Sequence, residues 1–128
     1  MKRVQDILSQ IPYAMSMCIE CDDSDQGLVF TLPALTQNLN ALTSSALHQG
    51  ALSGFMQTSA ITELMLRDSG YHQFKLIRLS VEYIKPATHR ATYAQCQIIE
   101  PQDAARYVCV TAWQNDVLCP IAKAYLYF

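Results

Sequence analysis

Val4, Ile7, Leu8 and Ile11 recur at helical spacing, which predicts a short amphipathic helix over residues 3–10, stopped by Pro12. Met15, Met17 and Ile19 then alternate with smaller or polar neighbours. With the turn-forming Asp22-Asp23-Ser24-Asp25-Gln26-Gly27 and the run Leu28-Val29-Phe30-Thr31-Leu32, they predict a hairpin closed by Pro33. Residues 34–47 are rich in Asn, Thr, Ser and Ala without a clear period, and read as a loop with some local winding. The pattern changes at Gly50. To about Arg67 there is no Pro, and Leu52, Phe55, Met56, Ile61, Leu64, Met65 and Leu66 cover more than one side of a helix. The polar residues interspersed there are mostly small (Ser53, Thr58, Ser59, Thr62), so the reading is one long buried helix over about 51–67. Asp68-Ser69-Gly70 ends it.

The remainder alternates. Ile77, Leu79, Val81 and Tyr83 interleave with Arg78, Ser80 and Glu82 up to Pro86, and residues 89–100, 104–115 and 118–128 continue in the same way. The last three runs are joined by turns at Glu100-Pro101-Gln102-Asp103 and at Asn115-Asp116. Links that short make antiparallel neighbours, since parallel strands need long crossovers. The chain is therefore expected to be one α+β domain over 1–128, a long antiparallel curved sheet wrapped around one central helix, with a short N-terminal helix. Sheet edges and helix surface left over after that wrapping predict a homodimer.

Composition agrees with a packed domain: 51% of residues are hydrophobic and 16% charged. Nine Lys and Arg against eleven Asp and Glu leave a net charge of −2, which supplies no positive field for a nucleic-acid backbone. The chain opens on charged and alternating residues rather than an apolar run, and no stretch approaches the roughly 18 apolar residues of a membrane span. The expectation is a cytoplasmic protein that binds neither nucleic acid nor membrane. Five cysteines are scattered through apolar sequence. Cys18-Ile19-Glu20-Cys21 is formally a CxxC, but no second Cys pair or His pair accompanies it, and on a strand residues three apart point to opposite faces. Buried, reduced core cysteines and no metal site are expected.

Four segments carry a resemblance that covers nearly the whole chain. They are Ile11-Pro12-Tyr13-Ala14, then Leu47-His48-Gln49-Gly50-Ala51-Leu52-Ser53-Gly54-Phe55-Met56-Gln57, then Leu79-Ser80-Val81-Glu82-Tyr83-Ile84-Lys85-Pro86-Ala87. The fourth runs from Thr111-Ala112-Trp113-Gln114-Asn115-Asp116 through Pro120-Ile121-Ala122-Lys123-Ala124. Their order and spacing resemble the hotdog-fold thioesterases of the phenylacetate-degradation (PaaI-like) group. The resemblance implies hydrolysis of an acyl thioester, usually an acyl-CoA, at a dimer interface in a dimer or dimer of dimers. Coenzyme A would enter as part of the substrate, with no separate cofactor.

It also implies site residues. Gly50 is the expected oxyanion donor, because amides at a helix start carry positive partial charge and a missing side chain lets substrate approach. His48 would organise that turn, as a structural residue or as an acid–base group. The group places an Asp or Glu nine residues after this His, where Gln57 stands here, and Gln49 replaces the first Gly of the usual pair. A neutral amide accepts no proton at working pH, so Gln57 is expected to align a water or the carbonyl rather than act as base. Asn40 is the candidate for an amide before the His that meets the thioester carbonyl. Gln49, Ser53 and Phe55 are candidates for substrate contact, and Lys85 and Arg90 for the coenzyme's phosphates or, alternatively, a solvated sheet edge. Tyr83, Tyr93, Tyr107 and Trp113 are expected to pack the sheet. Glu63 lies about 240° around the helix from Gln57, and either pairs with a cation or faces solvent. A non-catalytic acyl-CoA or apolar-ligand binder is the second reading.

Overall fold

The computed structural model describes residues 2–24, 27–34, 39–40, 43–47, 49–67, 76–88, 90–99 and 107–128. Helix α1 (Lys2–Ser9) forms where the helical spacing predicts it and buries Val4, Ile7 and Leu8. The next segment departs from expectation. Residues 12–16 are not strand but a second short helix, α2 (Pro12–Ser16), with Pro12 in its first turn. Proline stops one helix and opens the next: its fixed φ suits a first turn, and its missing N–H costs nothing there. Strand β1 (Glu20–Ser24) starts correspondingly late and pairs with β2 (Gly27–Leu32). Ser24 faces Gly27 in the register, so the hairpin turn is tighter than the six-residue run suggested. Residues 39–40 and 43–47 also differ from the expected loop. They form a small two-stranded sheet of β3 (Leu39–Asn40) and β4 (Thr43–Leu47), which leads into the central helix α3 (Gln49–Arg67).

Strands β5 (Arg78–Tyr83), β6 (Thr92–Ile99), β7 (Tyr107–Trp113) and β8 (Ala122–Tyr127) follow. The main sheet has the order β1-β2-β6-β7-β8-β5, antiparallel throughout. The expected meander β6-β7-β8 holds. β5, however, sits beyond β8 at the far edge, so the chain crosses the end of the sheet to start β6 next to β2. Local alternation fixes a strand's faces but not its neighbour.

One row of the sheet shows how α3 is accommodated. Phe30, Ala94, Ala112 and Ala122 are successive cross-strand partners, and all four are fully buried. Three alanines side by side make a low floor on which the large buried residues of α3 (Leu52, Phe55, Met56, Leu64) close the core. At about 25 cal/mol per Å² of apolar surface, burying that layer helps drive the wrapping of sheet around helix. Four polar residues of the helix are also buried. Ser59 and Thr62 hand their hydroxyl protons back to the carbonyls of Phe55 and Thr58, at 2.9 and 2.8 Å, which satisfies them without an outside partner.

The crossover after β5 is held by one side chain. The Gln114 amide oxygen accepts from the Thr88 backbone N–H at 3.1 Å, and its NH2 donates to the Thr88 carbonyl at 2.9 Å and to Thr92 Oγ1 at 3.1 Å. On the sheet's outer face Tyr93 and Trp113 approach to 6.1 Å between ring centroids and Tyr107 and Tyr127 to 4.6 Å, as packing residues should. Among the described residues no helix is long and apolar enough to cross a membrane.

Candidate active site at the start of the central helix

Gln49 and Gly50, the first two residues of α3, are both exposed. Roughly 100° of turn per residue places Gly50, Gly54, Gln57, Ile61 and Met65 along one stripe. All five are incompletely buried, as are Gln49, Ser53 and Leu66, whereas Leu52, Phe55, Met56, Ser59 and Ala60 on the other side are buried. Gly50 and Gln57 thus share a face, two turns and about 10 Å apart along the axis. Any helix directs its first amides outward at the positive end of its dipole.

Two tyrosines hold this helix start. Tyr83, at the end of β5, donates its hydroxyl to the Gln49 carbonyl at 3.1 Å. Tyr13, from α2, donates to the Ala51 carbonyl at 3.2 Å. Burial of the Tyr13 hydroxyl raises its pKa above the ordinary tyrosine value, so it stays protonated and keeps donating. The Tyr83 contact corrects the sequence reading: the residue lies on the helix side of the edge strand and binds the helix rather than packing the sheet. Gly54 completes the arrangement. A Cβ there would come within 2.5 Å of Tyr13 Oη, so only glycine lets the ring lie on the helix.

The other expected residues are less concentrated. Ser53 is half-buried beside the stripe, and Phe55 is fully buried in the core, where it offers no surface to a ligand within one chain. Asn40 is placed by its backbone in β3, opposite Thr43, and His48 lies outside the described residues. Lys85 is exposed two residues beyond Tyr83, its backbone N–H bound to the Ile121 carbonyl at 3.1 Å. That puts it just past the end of β5, whose last residue, Tyr83, reaches Gln49. Arg90 is exposed too, but its guanidinium is bonded to Asn115 Oδ1 beyond the end of β7. The structure therefore gathers Gln49, Gly50, Ser53 and Gln57 on one side of α3, places Lys85 two residues past the strand end that reaches Gln49, and keeps Arg90 in a separate loop contact.

Glu63 does not face solvent. It is buried, 8% exposed, close enough to Cys21 and Cys96 for its charge to raise both thiols. It is turned away from Gly50 and Gln57, as the 240° rotation requires. Burial is the main cause that pushes Cys21 up to about 12, and it pushes Cys96 and Cys109 up as well. Such thiols stay protonated and are poor nucleophiles. Cys18 and Cys119 are exposed, which the expectation of five core cysteines missed. Cys18 takes a positive φ of 57° just before β1, so the CxxC has one outward and one inward sulfur. Among the described residues no group of three His, Cys, Asp or Glu side chains is arranged to hold a metal.

Tyr13, Gly54 and Gln114 were not singled out by the sequence reading as site or support. Gly54 carried a usable signal, since glycine inside a helix costs about 1 kcal/mol and so marks a close approach.

No family model matches the chain, and no curated protein does. Solved structures do. A protein from Chromobacterium violaceum is 29% identical, with a TM-score of 0.78 over 100% of this chain and 96% of its own. A candidate thioesterase from Ralstonia eutropha, described as phenylacetic acid degradation-related, is 16% identical, with a TM-score of 0.74 over 98% and 97%. A Bacillus halodurans protein solved with CoA is 17% identical, with a TM-score of 0.77 over 99% and 85%. With thioesterase-superfamily proteins among these neighbours, the six-stranded antiparallel sheet around one long helix is the hotdog fold.

Proposed function

We propose that the protein hydrolyses an acyl-CoA thioester in a cleft along the half-buried stripe of α3, completed by a second copy of the chain. The observation that carries this reading is the common face of Gly50 and Gln57 at the helix start. In the mechanism, the Gly50 amide polarises the thioester carbonyl and Gln57 aligns a water. The water oxygen adds to the acyl carbon, the C–S bond breaks, and coenzyme A leaves as the thiol, taking up a proton released by the water. Nothing at position 57 accepts that proton, so turnover is slow. Lys85 meets the coenzyme's phosphates near the cleft mouth, and Arg90 does so only by releasing Asn115. The CoA-bound hotdog neighbour supports this substrate class.

The second copy is supported by strand β5. It is one edge of the sheet, exposed along almost its whole length, with Ile77 74% exposed beside it and Leu79, Tyr83 and Ile84 only partly covered. An exposed edge flanked by apolar side chains of this kind is a pairing template unless something covers it. Gln57 itself favours one alternative, a hotdog protein that binds acyl-CoA without cleaving it. Thiol release from purified protein and a series of acyl-CoAs separates the two. Gln57→Glu is expected to raise the rate by about 10²–10⁴, and Gln57→Ala to lower it. Gly50→Pro removes one amide at a position that tolerates proline, and is expected to lower kcat by about 10²–10³. Tight acyl-CoA binding with no release from either wild type or Gln57→Glu establishes the binder instead.

A further inference from the structure

The stripe between Gly50 and Gln57 is not bare. Gly54 falls between them along the axis, and the Tyr13 ring fills the space that a side chain would take. A Cβ at Gly54 would stand 2.5 Å from Oη, 2.6 Å from Cζ and 3.0 Å from Cε1. The hydroxyl is committed to the Ala51 carbonyl at 3.2 Å, which pins the far end of the ring on the first turn of the helix. Pro12 begins the short helix that carries the ring, fixing the near end. Even so, Tyr13 remains 37% exposed, and Met15 on the same short helix is also exposed. A rigid aromatic wall, anchored at both ends, therefore stands beside the two groups assigned to the thioester.

We infer that Tyr13 is a specificity-determining residue, its ring forming the wall against which the acyl group of a bound thioester lies. This rests on the thioester reading above. With the carbonyl held at Gly50 and water at Gln57, the acyl group leaves the reacting carbon alongside Gly54. A straight methylene chain fits along the ring. A branched or aryl group meets it edge-on, and a ring fixed at both ends does not yield without losing its hydrogen bond. The wall selects slender straight-chain acyl groups. Tyr13 acts through shape: its hydroxyl is occupied and moves no proton in the reaction.

The test compares kcat/KM for butyryl- and hexanoyl-CoA with that for isovaleryl- and benzoyl-CoA, in the full chain. Wild type is expected to prefer the straight chains. Tyr13→Ala should move the straight-to-branched ratio about tenfold or more toward the bulky substrates. Tyr13→Phe, which keeps the ring but frees its far end, should move the ratio less than Tyr13→Ala does. Tyr13→Leu keeps an apolar side chain on the helix and should move the ratio part of the way, which covers the case in which the alanine variant does not fold. An unchanged ratio in folded Tyr13→Ala or Tyr13→Leu overturns the inference and leaves the thioester reading standing. So does a Tyr13→Phe ratio that shifts as far as the alanine one, because the hydroxyl would then be the determinant. If wild type releases no thiol, the same ratio is read from acyl-CoA dissociation constants by calorimetry. If no acyl-CoA binds at all, the thioester reading falls and this inference falls with it.

Discussion

Replacing Gly54 with alanine should destabilise the protein, against the usual direction for a glycine inside a helix. Removing backbone freedom from the unfolded chain ordinarily favours alanine by about 1 kcal/mol. Here the new methyl group would lie 2.5 Å from Tyr13 Oη and 2.6 Å from Cζ, well inside contact distance. The cheapest relief is for the ring to swing off the helix. That forfeits the hydrogen bond to the Ala51 carbonyl, worth about 1 kcal/mol net. It also returns to water the part of the ring now covered, a further ~1.5 kcal/mol at about 25 cal/mol per Å². Losses of about 2.5 kcal/mol against a gain of about 1 leave a net destabilisation of about 1.5 kcal/mol.

The decisive measurement is a double-mutant cycle by chemical denaturation, with Tyr13→Ala as the second change. In that background the obstructing ring is gone, and Gly54→Ala should now stabilise by about 1 kcal/mol. The coupling between the two sites is then about 2.5 kcal/mol, far above the ~0.5 kcal/mol scatter of independent sites. Equal effects of Gly54→Ala in both backgrounds would refute the claim that the glycine exists to admit the ring. An unchanged slope against denaturant is needed for the comparison to hold, and is expected because neither change alters the extent of the fold.

Three further outcomes follow from other parts of the molecule. Gln114→Glu should destabilise by about 1–3 kcal/mol in urea, nearly as much as Gln114→Ala, because a carboxylate cannot donate to the Thr88 carbonyl and Thr92 Oγ1; wild-type stability in the Glu variant would mean the crossover is held some other way. Stability should fall with rising pH from about 9 toward 12: Cys21, ordinarily at 9.0, is held up to about 12 when folded, so the unfolded chain releases its proton first. Thermal melts across pH 8–10.5 should show this decline, which Glu63→Gln should bring to an end at a lower pH by removing a charge that raises Cys21 and Cys96. Ile77→Glu combined with Ile84→Glu should shift the protein toward monomer in sedimentation, since both lie exposed at the ends of edge strand β5; an unchanged molecular mass would remove β5 from the interface.

Much of the fold was legible because its signals are local. Leu52, Phe55 and Met56 announce a buried helix, and the alternation through Tyr93–Trp113 announces strands, whatever lies elsewhere in the chain. Residues 12–16 were misread for a local reason as well. Met15, Met17 and Ile19 alternate like a strand, and only the helix-opening role of Pro12 says otherwise. Strands β3 and β4 escaped because Thr43, Ser44 and Ser45 lack the apolar alternation that marks a strand with one buried face.

The site divides along the same line. Gly50 and Gln57 could be placed on one face from their spacing alone, since seven residues make two turns. The residues that hold that face in position could not, because each works across a long stretch of chain. Tyr13 reaches Ala51 over 38 residues, Tyr83 reaches Gln49 over 34, and Gln114 reaches Thr88 over 26. Periodicity has no access to such pairs, because they depend on which strand lies next to which. β5 is the clearest instance. Its alternation puts Tyr83 on the same face as Leu79 and Val81, but only its place at the edge beyond β8 decides that the hydroxyl meets a helix carbonyl instead of packing the sheet. The same edge position leaves its flank exposed, so one topological fact both latches the helix start and leaves open the surface to which the proposed second copy is assigned.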